Sequence, residues 1–431
     1  MLTMLDLRGR GTSITGLLPR PELTGDKPSA VVAEILAEVR HRGDNAVCAY
    51  TAHFDGVENP HYRVSSDEIA SALAGVSPQL KAAIEVAVTN VRRFHEHQLR
   101  PEAVVENSGM TVRAFQKPVR RAGLYVPGGR AAYPSTVVMT AIPALVAGVA
   151  EIALCVPPNR TTQKVAPEVL AAAALSGVTE IYAVGGAQAI AAMAYGTETI
   201  PAVDVIAGPG NVYVALAKQQ VAGHVGIAAA FAGPSEVVVV ADQTANPLFA
   251  AIDVILQAEH GPDGLAWLVT WDEEVAEAVC AAGDAYLETS SRAEDVRSTL
   301  AEGGYVALVD DRDAAVAVID AIAPEHLELQ IDDAVSLARR VTNAGAMFCG
   351  HLAPASMGDY IAGPSHVLPT YGSARFASAL TVTDFLRDHH IVTIDQAALE
   401  TFGPHVVALA EVEGLPAHAE SIRVRLEPPA S

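Results

Sequence analysis

The sequence predicts an α/β protein with two Rossmann-like, doubly wound parallel-sheet domains, an N-terminal helical region and a small C-terminal tail domain. Between residues 122 and 241, short apolar runs end in glycine or proline turns that lead into alanine-rich helices. A second series of strands and helices follows, and aromatic residues make up only 5% of the chain. Repeated strand–turn–helix units are typical of doubly wound sheets, whose strands are covered by helices on both faces. The GxGxxG fingerprint of dinucleotide-binding sheets is absent from the sequence.

The prediction consists of two series of strands and helices along the chain. In the first series each strand is followed by a turn and a helix, and the strands are predicted at 123–126, 151–156, 180–184 and 204–207. The second series begins with the apolar run 236–241, which is typical of a strand buried on both faces. Its further elements are predicted as helix 246–260, strand 266–270, helix 272–282, strand 305–309, helix 313–322 and helix 333–342. Ligands of such sheets bind at the carboxyl ends of strands, where the glycine turns fall.

The two ends of the chain have a different texture. Residues 1–120 are predicted to be helical, because apolar residues recur at helical spacing over 28–39 and 67–98. In the tail, a helix is predicted at about 395–412, followed by a terminal strand in which Ile422, Val424 and Leu426 alternate with arginines. Three domains are predicted. The first α/β domain, with the N-terminal helices, consists of residues 1–122 and 236–380, the second α/β domain of residues 123–235, and the tail domain of residues 381–431.

Composition and charge exclude several classes of protein. Half of the 431 residues are hydrophobic and 18% are charged, which indicates a globular chain. The net charge of −22, without a Lys/Arg cluster, argues against nucleic acid and anionic membranes as partners. The start has no signal-peptide pattern, and the longest apolar stretch, 137–150, is too short to span a bilayer. The four dispersed cysteines indicate reduced thiols, so that a cytoplasmic location is expected.

One predicted helix ends in a pair of candidate metal ligands. Gln257 and His260 are three residues apart, so both side chains lie on one face of the helix and could reach one ion. The other ligands of such a site must come from further along the chain, where Asp359 and His418 lie in segments containing glycine or proline. Each of these residues also has an ordinary interpretation, as a surface side chain, a histidine at a helix C-terminus or a turn residue.

Three further motifs carry chemistry. Glu325 and His326 follow a proline, and the pair could serve acid/base catalysis or begin a helix with an exposed histidine. Gln188 and Asn211 stand near glycine turns after predicted strands, where a helix N-terminus attracts phosphate, although such turns are also ordinary βα connections. Ser235 lacks the GxSxG context of a serine hydrolase.

A series of longer segments connects these motifs. They read GLYVPGGRAAYPSTVVMTAIPALVAGV (123–149), VGGAQAIAAMAYGTETIP (184–201), AGPGNVYVALAK (207–218), AGPSEVVVVAD (232–242), QAEHGPDG (257–264), APEHLEL (323–329), NAGAMFCG (343–350), GDYIAGPSHVLPT (358–370) and EGLPAH (413–418). In this order they resemble the histidinol dehydrogenase family, and the N-terminal helices match less distinctively. Thr140, Leu145 and Ser365 depart from residues that are common in the family.

The resemblance implies an activity and a set of site residues. Members of the family oxidise L-histidinol to L-histidinaldehyde and then to L-histidine with NAD⁺, the last steps of histidine biosynthesis. The matching motifs imply one zinc ion per subunit, held by Gln257, His260, Asp359 and His418. They imply acid/base roles for Glu325 and His326, and NAD contacts at Tyr125, Gln188 and Asn211. Substrate contacts are implied for Ser235, Gln257, His260, His326, Asp359, Glu413 and His418. The family forms homodimers with intertwined subunits, so Glu413 and His418 are expected to complete the partner's site.

Three other activities compete with this interpretation. A relative that oxidises another small alcohol, such as a sulfonated diol, would share the fold, but Glu413 and the full ligand set favour histidinol. A zinc hydrolase would not need the glycine turns beside Gln188 and Asn211. A metal-binding protein without catalysis would have no use for Glu325 and His326.

Overall fold

The computed structural model describes residues 2–12, 14, 16–19, 27–58, 61–128, 131–228, 235–259 and 264–427. Contacts divide the chain into two units, one formed by Met1–His97 with Arg120–Phe385 and the other by Gln98–Val119 with Leu386–Ser431. The larger unit contains two parallel sheets and the smaller unit an antiparallel sheet and two helices. The predicted α/β class with two parallel sheets, N-terminal helices and a small tail is confirmed. The boundaries that separate the two sheets into domains stay a prediction.

The described chain contains the following elements. The strands are β1 (Thr3–Asp6), β2 (Ala103–Asn107), β3 (Met110–Pro118), β4 (Arg121–Tyr125), β5 (Glu151–Cys155), β6 (Glu180–Tyr182), β7 (Val205–Ala207), β8 (Gly226–Ile227), β9 (Glu236–Ala241), β10 (Leu265–Thr270), β11 (Gly304–Leu308), β12 (His326–Gln330), β13 (Ala346–Cys349) and β14 (Leu386–Ile394). The helices are α1 (Lys27–Arg42), α2 (Asp44–Asp55), α3 (Ser66–Gly75), α4 (Pro78–Glu96), α5 (Pro134–Ala147), α6 (Pro167–Ser176), α7 (Gly186–Tyr195), α8 (Val212–Val221), α9 (Pro247–Ala258), α10 (Glu273–Leu287), α11 (Ala293–Gly303), α12 (Arg312–Ile322), α13 (Ala334–Ala338), α14 (Ala355–Tyr360), α15 (Gln396–Val412) and α16 (Pro416–Leu426).

The first parallel sheet has the strand order β1-β11-β10-β9-β12-β13. Its central strand β9 is buried along its whole length. Val238 and Val240 belong to one hydrophobic cluster, and Val237 and Val239 belong to another. Successive side chains of a strand point to opposite faces, so these valines anchor a core on each side of the sheet.

The second parallel sheet has the strand order β6-β5-β4-β7-β8. Three strands run outward from β4 to β6, and the chain then returns to the other side of β4 to form β7 and β8. The carboxyl ends of β4 and β7 therefore flank the point at which the strand order reverses. Crevices at this point are the usual ligand sites of doubly wound sheets.

The smaller unit corrects the prediction that residues 1–120 are helical throughout. β2 and β3 form a hairpin joined by Ser108 and Gly109, whose φ angles are 47° and 84°. Two positive φ angles are typical of the type I′ turn that joins tight hairpins. β14 extends this sheet by pairing with β3, and β1 lies at the edge of the six-stranded sheet. The helical spacing of apolar residues ends at residue 98, and the two strands joined by the Ser–Gly turn follow it.

The terminal strand predicted from Ile422, Val424 and Leu426 is wrong, because these residues belong to α16. A methyl group at Gly403 of α15 would lie 2.9 Å from Ile422 Cγ2, so the glycine allows the two helices to pack closely. Ala419, Ile422 and Leu426 are also spaced as one helical face, and a short alternation cannot separate the two periods.

Other differences concern the length and number of elements. Residues 333–342 are predicted to be helical, but α13 covers only Ala334–Ala338 and begins after Asp333, which adopts a left-handed conformation with φ 53°. The prediction also does not include β8, α11, β12, β13, α14 or β14. Among the described residues, none of the helices is both long and apolar enough to cross a membrane.

Candidate active site

Helix α9 carries the first candidate metal ligand. It begins after Asn246, whose side chain accepts the N–H groups of Leu248 and Phe249. Gln257 lies in the last turn and is only 2% exposed. His260 lies outside the described residues, so the structure places one of the two ligands predicted on this helix.

The Glu325–His326 pair lies at the amino end of a central strand. α12 ends at Ala323, which adopts a left-handed conformation with φ 52°. His326 is the first residue of β12 and pairs with Val237 of β9 and Ala346 of β13. The alternative in which the pair begins a helix with an exposed histidine is therefore excluded. Both side chains are buried.

The Glu325 carboxylate is held by two groups at the start of β9. Its Oε2 atom accepts the backbone N–H of Glu236 at 3.0 Å. The Ser235 side chain also hydrogen-bonds to it and, like the N–H group, favours the ionised form. Burial has the larger effect and raises the pKa of Glu325 to about 7. A carboxyl group that titrates near neutrality can both take and return a proton.

His326 lies between two carboxylates. Its Nε2 atom is 3.1 Å from Asp359 Oδ1, and its Nδ1 atom is 3.8 Å from Glu325 Oε2. Burial lowers the pKa of His326, but the neighbouring Glu325 and Asp359 outweigh burial and raise it to about 9. An ion bound to Asp359 would engage that carboxylate and remove part of this stabilisation of the imidazolium.

Asp359 is positioned by close packing around α14. A methyl group at Gly358 would lie 2.4 Å from the Phe348 ring, so only glycine lets the helix approach this ring. Phe348 stacks in turn on the imidazole of His326, with ring centroids 6.1 Å apart. The Gly358–Phe348 contact therefore sets the distance between Asp359 and His326. The sequence alone does not predict this contact.

A histidine bridges Asp359 to the helix that follows β4. The Nδ1 atom of His366 lies 2.9 Å from the Asp359 carbonyl oxygen, and its Nε2 atom lies 3.2 Å from Thr136 Oγ1. Nδ1 donates to the carbonyl, so Nε2 accepts the threonine hydroxyl proton in the neutral ring. Thr136 belongs to α5, and this bridge links the two parallel sheets of the larger unit.

A buried carboxyl pair lies behind the cluster. Glu328 is fully buried on the same face of β12 as His326, and its Oε1 atom accepts the N–H of Ala355 at the start of α14. Gln330 Nε2 donates to Asp253 Oδ2 at 2.6 Å. Burial and their mutual contact raise the pKa of Glu328, and burial raises that of Asp253, so the pair retains a proton. This network links α9, β12 and α14, and the sequence carries no local signal for it.

The structure thus brings Ser235, Glu325, His326 and Asp359 into one cluster at the amino ends of β9 and β12. Glu413 and His418 belong to the smaller unit. Glu413 caps the C-terminus of α15, His418 lies in the first turn of α16, and both are exposed.

A cavity of about 860 Å³, the cofactor-side cavity, lies at the carboxyl ends of β4 and β5 in the second sheet. Tyr125, Gln188 and Asn211 line it. The Tyr125 hydroxyl accepts the N–H of Gly186 at 3.0 Å. Gln188 is 1% exposed, and neither polar atom of its amide has a hydrogen-bond partner among the described residues. A buried amide in this state is costly unless a ligand satisfies it.

The described residues show which side chains could support metal or thiol chemistry. Among the described residues, no group of three or more His, Cys, Asp or Glu side chains could hold an ion, and this set does not include His260. None of the four cysteines, all of which the structure describes, forms a disulfide, and burial raises the pKa of each thiol, that of Cys155 to about 12. None is activated as a thiolate nucleophile.

Comparisons with known proteins agree with this geometry. The family model for histidinol dehydrogenase matches residues 18–426. The chain belongs to the histidinol dehydrogenase family. It is 47% identical over 397 residues to the histidinol dehydrogenase of Chlorobium chlorochromatii (strain CaD3), covering 92% of each chain. It is 44% identical over 421 residues to that of Syntrophotalea carbinolica, covering 97% of each. The crystal structure of histidinol dehydrogenase from Elizabethkingia anophelis superposes with a TM-score of 0.94 at 35% identity, covering 99% of this chain and 98% of that one.

Family membership makes the protein a dehydrogenase, an oxidoreductase that depends on a cofactor. Two of the positions that depart from residues common in the family form their own hydrogen bonds. Thr140 Oγ1 donates to the Thr136 carbonyl at 2.7 Å, and Ser365 Oγ donates to the Met139 carbonyl at 3.0 Å. These substitutions therefore leave no unpaired hydroxyl in the core of the histidinol dehydrogenase fold.

Proposed function

We propose that the protein oxidises L-histidinol in two steps to L-histidine, with NAD⁺ as hydride acceptor and one bound zinc ion. One observation carries the proposal: the buried side chains of Glu325 and His326 meet the partly buried Asp359 in a chain whose relatives are named histidinol dehydrogenase. Proton transfer from an alcohol needs a buried base whose pKa is shifted by neighbouring charges.

The donor set fits a zinc ion. The proposed ligands are Gln257, His260, Asp359 and His418, which offer two oxygens and two imidazole nitrogens, all donors that zinc accepts. Support comes from Gln257, which is buried in the last turn of α9 and carries an amide oxygen, a donor that zinc accepts. Zinc, when bound, would hold the amino and imidazole nitrogens of histidinol and orient the carbon to be oxidised.

The cofactor-side cavity fits a dinucleotide. Tyr125, Gln188 and Asn211 are the proposed contacts, and the unpaired amide of Gln188 offers one donor and one acceptor to the nucleotide. The cavity lies where the strand order of the second sheet reverses. NAD⁺, when bound, supplies the acceptor for hydride in both steps.

In the first step, His326 in its neutral form takes the proton of the substrate hydroxyl, while hydride leaves the carbon that carries this hydroxyl. The neighbouring Glu325 and Asp359 carboxylates stabilise the imidazolium that forms. Ser235 and Glu413 are proposed to contact the substrate. The products of this step are the aldehyde, one NADH and one proton.

In the second step, Glu325 takes a proton from the water that adds to the aldehyde. The hydrated aldehyde then loses a second hydride to NAD⁺ and a hydroxyl proton to His326, which yields the carboxylate of L-histidine. This route requires no bond between the aldehyde and a thiol. The raised pKa values of the four cysteines support it, because thiols in that state are poor nucleophiles.

The decisive assay supplies zinc, NAD⁺ and L-histidinol and measures both products. The proposal requires about two NADH per histidine, because each step releases one hydride. A sulfonated diol serves as the competing substrate. Turnover of the diol with none of histidinol would replace the proposed substrate with that alternative.

We also propose that two subunits share each site, with Glu413 and His418 supplied by the partner. Support comes from exposed apolar side chains of the smaller unit, including Val105 (63% exposed), Leu409 (66%) and Val412 (89%), which a second subunit would cover. Mixing an inactive His418→Ala protein with an inactive His326→Asn protein tests this. Exchange of subunits should restore activity in the mixture, and a mixture shown to exchange but still inactive would contradict a shared site.

A further inference from the structure

A buried carboxylate oxygen without a described partner belongs to a residue that lines the cofactor-side cavity. Asp55 is the last residue of α2 and lines the cavity together with Tyr125 and Gln188. Its Oδ2 atom is buried and has no hydrogen-bond partner among the described residues. Burial raises the pKa of Asp55, and the charge of Arg160 partly offsets this. Such an oxygen requires a ligand that donates hydrogen bonds to it.

The strand order shows which task this carboxylate can perform. In nucleotide-binding sheets, an acidic residue about 20 residues after the glycine turn binds the ribose hydroxyls of NAD. Glu151 has roughly this spacing from Gly128, but it begins β5 at the end of the strand away from the cavity. It is also paired with Arg121 at 3.1 Å. Glu151 is therefore not available to a nucleotide in the cavity.

Asp55 belongs to α2, outside the sheet, and lies where an acidic residue after β5 is absent. The loop 156–160, which follows β5 and lines the cavity, contains no acidic residue. Arg160 in this loop donates to the backbone carbonyl of Phe54 at 2.6 Å. This hydrogen bond holds the end of α2, and with it Asp55, beside the carboxyl end of β5.

We propose that Asp55 binds the adenosine ribose hydroxyls of NAD⁺ and excludes NADP⁺, an inference that rests on the proposed use of NAD⁺. A carboxylate accepts hydrogen bonds from the 2′- and 3′-hydroxyls. The 2′-phosphate of NADP⁺ donates none at neutral pH and adds negative charge beside Asp55, so discrimination comes from repulsion as well as attraction. Arg160 is the cation that a 2′-phosphate would meet once Asp55 is neutralised.

Binding of NAD⁺ and NADP⁺ to the zinc-loaded protein, measured by calorimetry, tests the proposal. Asp55→Asn should weaken NAD⁺ binding about tenfold and strengthen NADP⁺ binding, lowering the preference for NAD⁺ by at least about 30-fold. Asp55→Ser is a second variant for the case in which the first fails to fold. Glu58→Gln removes the same charge at an exposed position three residues away and should leave the preference unchanged.

The outcomes separate this inference from the proposed function. If folded Asp55 variants keep the wild-type preference while wild type oxidises histidinol with NAD⁺, the role of Asp55 is wrong and the proposed function stands. An equal loss in Glu58→Gln would also overturn it, because the effect would then be one of net charge. Failure of the wild-type protein to bind NAD⁺ overturns the proposed function itself and is visible without any variant.

Discussion

The two parallel sheets differ in how the polar groups at their ends are paired. At the amino ends of β9 and β12, titratable groups face one another: His326 lies 3.1 Å from Asp359 and 3.8 Å from Glu325, although its Nδ1 atom has no hydrogen-bond partner among the described residues. In the cofactor-side cavity, Gln188 and Asp55 keep buried polar atoms without partners among the described residues. Mutual pairing shifts pKa values, whereas unpaired atoms create affinity for a ligand.

This difference separates reaction from recognition. Substitutions in the paired cluster should change the rate of the chemical steps at saturating substrate. Substitutions in the cavity should change the affinity for the nucleotide and leave the chemical rate nearly unchanged. Substitutions at His326, Glu325, Glu328, Gln188 and Cys349, in order of decreasing expected effect, test this division.

The largest effect is expected for His326→Asn. Loss of the base should lower NADH formation at saturating substrate by about 10²- to 10⁴-fold, because general base catalysis contributes that much. Zinc content should stay at the wild-type level, since His326 is not a proposed ligand. Stopped-flow absorbance and metal analysis measure the two quantities. Loss of zinc in parallel with activity would place His326 in the metal site.

Glu325→Gln should slow the aldehyde step about 10²-fold and the alcohol step much less. Burial raises the pKa of Glu325 from 4.5 to about 7, so its carboxylate form appears as the pH rises through about 7. The wild-type rate from histidinaldehyde should therefore rise through this pH. The rise should be missing in the variant, and equal losses in both steps would reject the division of labour.

Glu328→Leu should cost about 2–3 kcal/mol of unfolding free energy, because it leaves the Ala355 N–H group without its acceptor and breaks the contact with Asp253. Glu328→Gln keeps an acceptor and should cost less than half as much. Urea unfolding of both variants measures this. Equal stability of the two variants would show that Glu328 does not hold α14.

Gln188→Met should raise the Kd of NAD⁺ about tenfold, which corresponds to the loss of roughly one hydrogen bond. The free energy of unfolding should rise by less than about 1 kcal/mol, because an apolar group of similar shape replaces a buried amide without a described partner. Calorimetry with NAD⁺ and urea unfolding measure the two quantities. An unchanged Kd would mean that the nucleotide does not reach this amide.

The smallest effect is expected at the cysteines. Cys349→Ser, at the end of β13, should change both oxidation steps less than about twofold, because burial raises the pKa of this thiol. Alkylation of the native protein with iodoacetamide at pH 7 provides the matched test. Rapid loss of the aldehyde step alone would reveal a thiol intermediate.

Sequence reasoning predicts most of the fold because long apolar patterns carry it. The four valines of β9 and the capped helix α9 are examples in which local composition and tertiary environment agree. It fails where the pattern is short or depends on one turn. The helical prediction extends past residue 98 over the hairpin around Ser108–Gly109, and Gly403 allows an apparent strand to pack as a helix.

The site follows a similar rule. Glu325 and His326 are adjacent in the chain, so the pair can be recognised from the sequence alone. The contact of Gly358 with Phe348 and the network of Asp253, Glu328 and Gln330 join distant segments. The spacing of residues in the sequence does not predict such contacts, because they depend on how strands and helices pack in three dimensions.

The bridge from Thr136 through His366 to Asp359 has a thermodynamic consequence. α5, which carries Thr136, follows β4, whose last residue lines the cofactor-side cavity. Any displacement of α5 on nucleotide binding therefore reaches a proposed zinc ligand through two hydrogen bonds of 3.2 and 2.9 Å. Reciprocity then requires each ligand to change the affinity of the other by the same factor. Zinc titrations with and without NAD⁺, and NAD⁺ titrations with and without zinc, must give equal ratios.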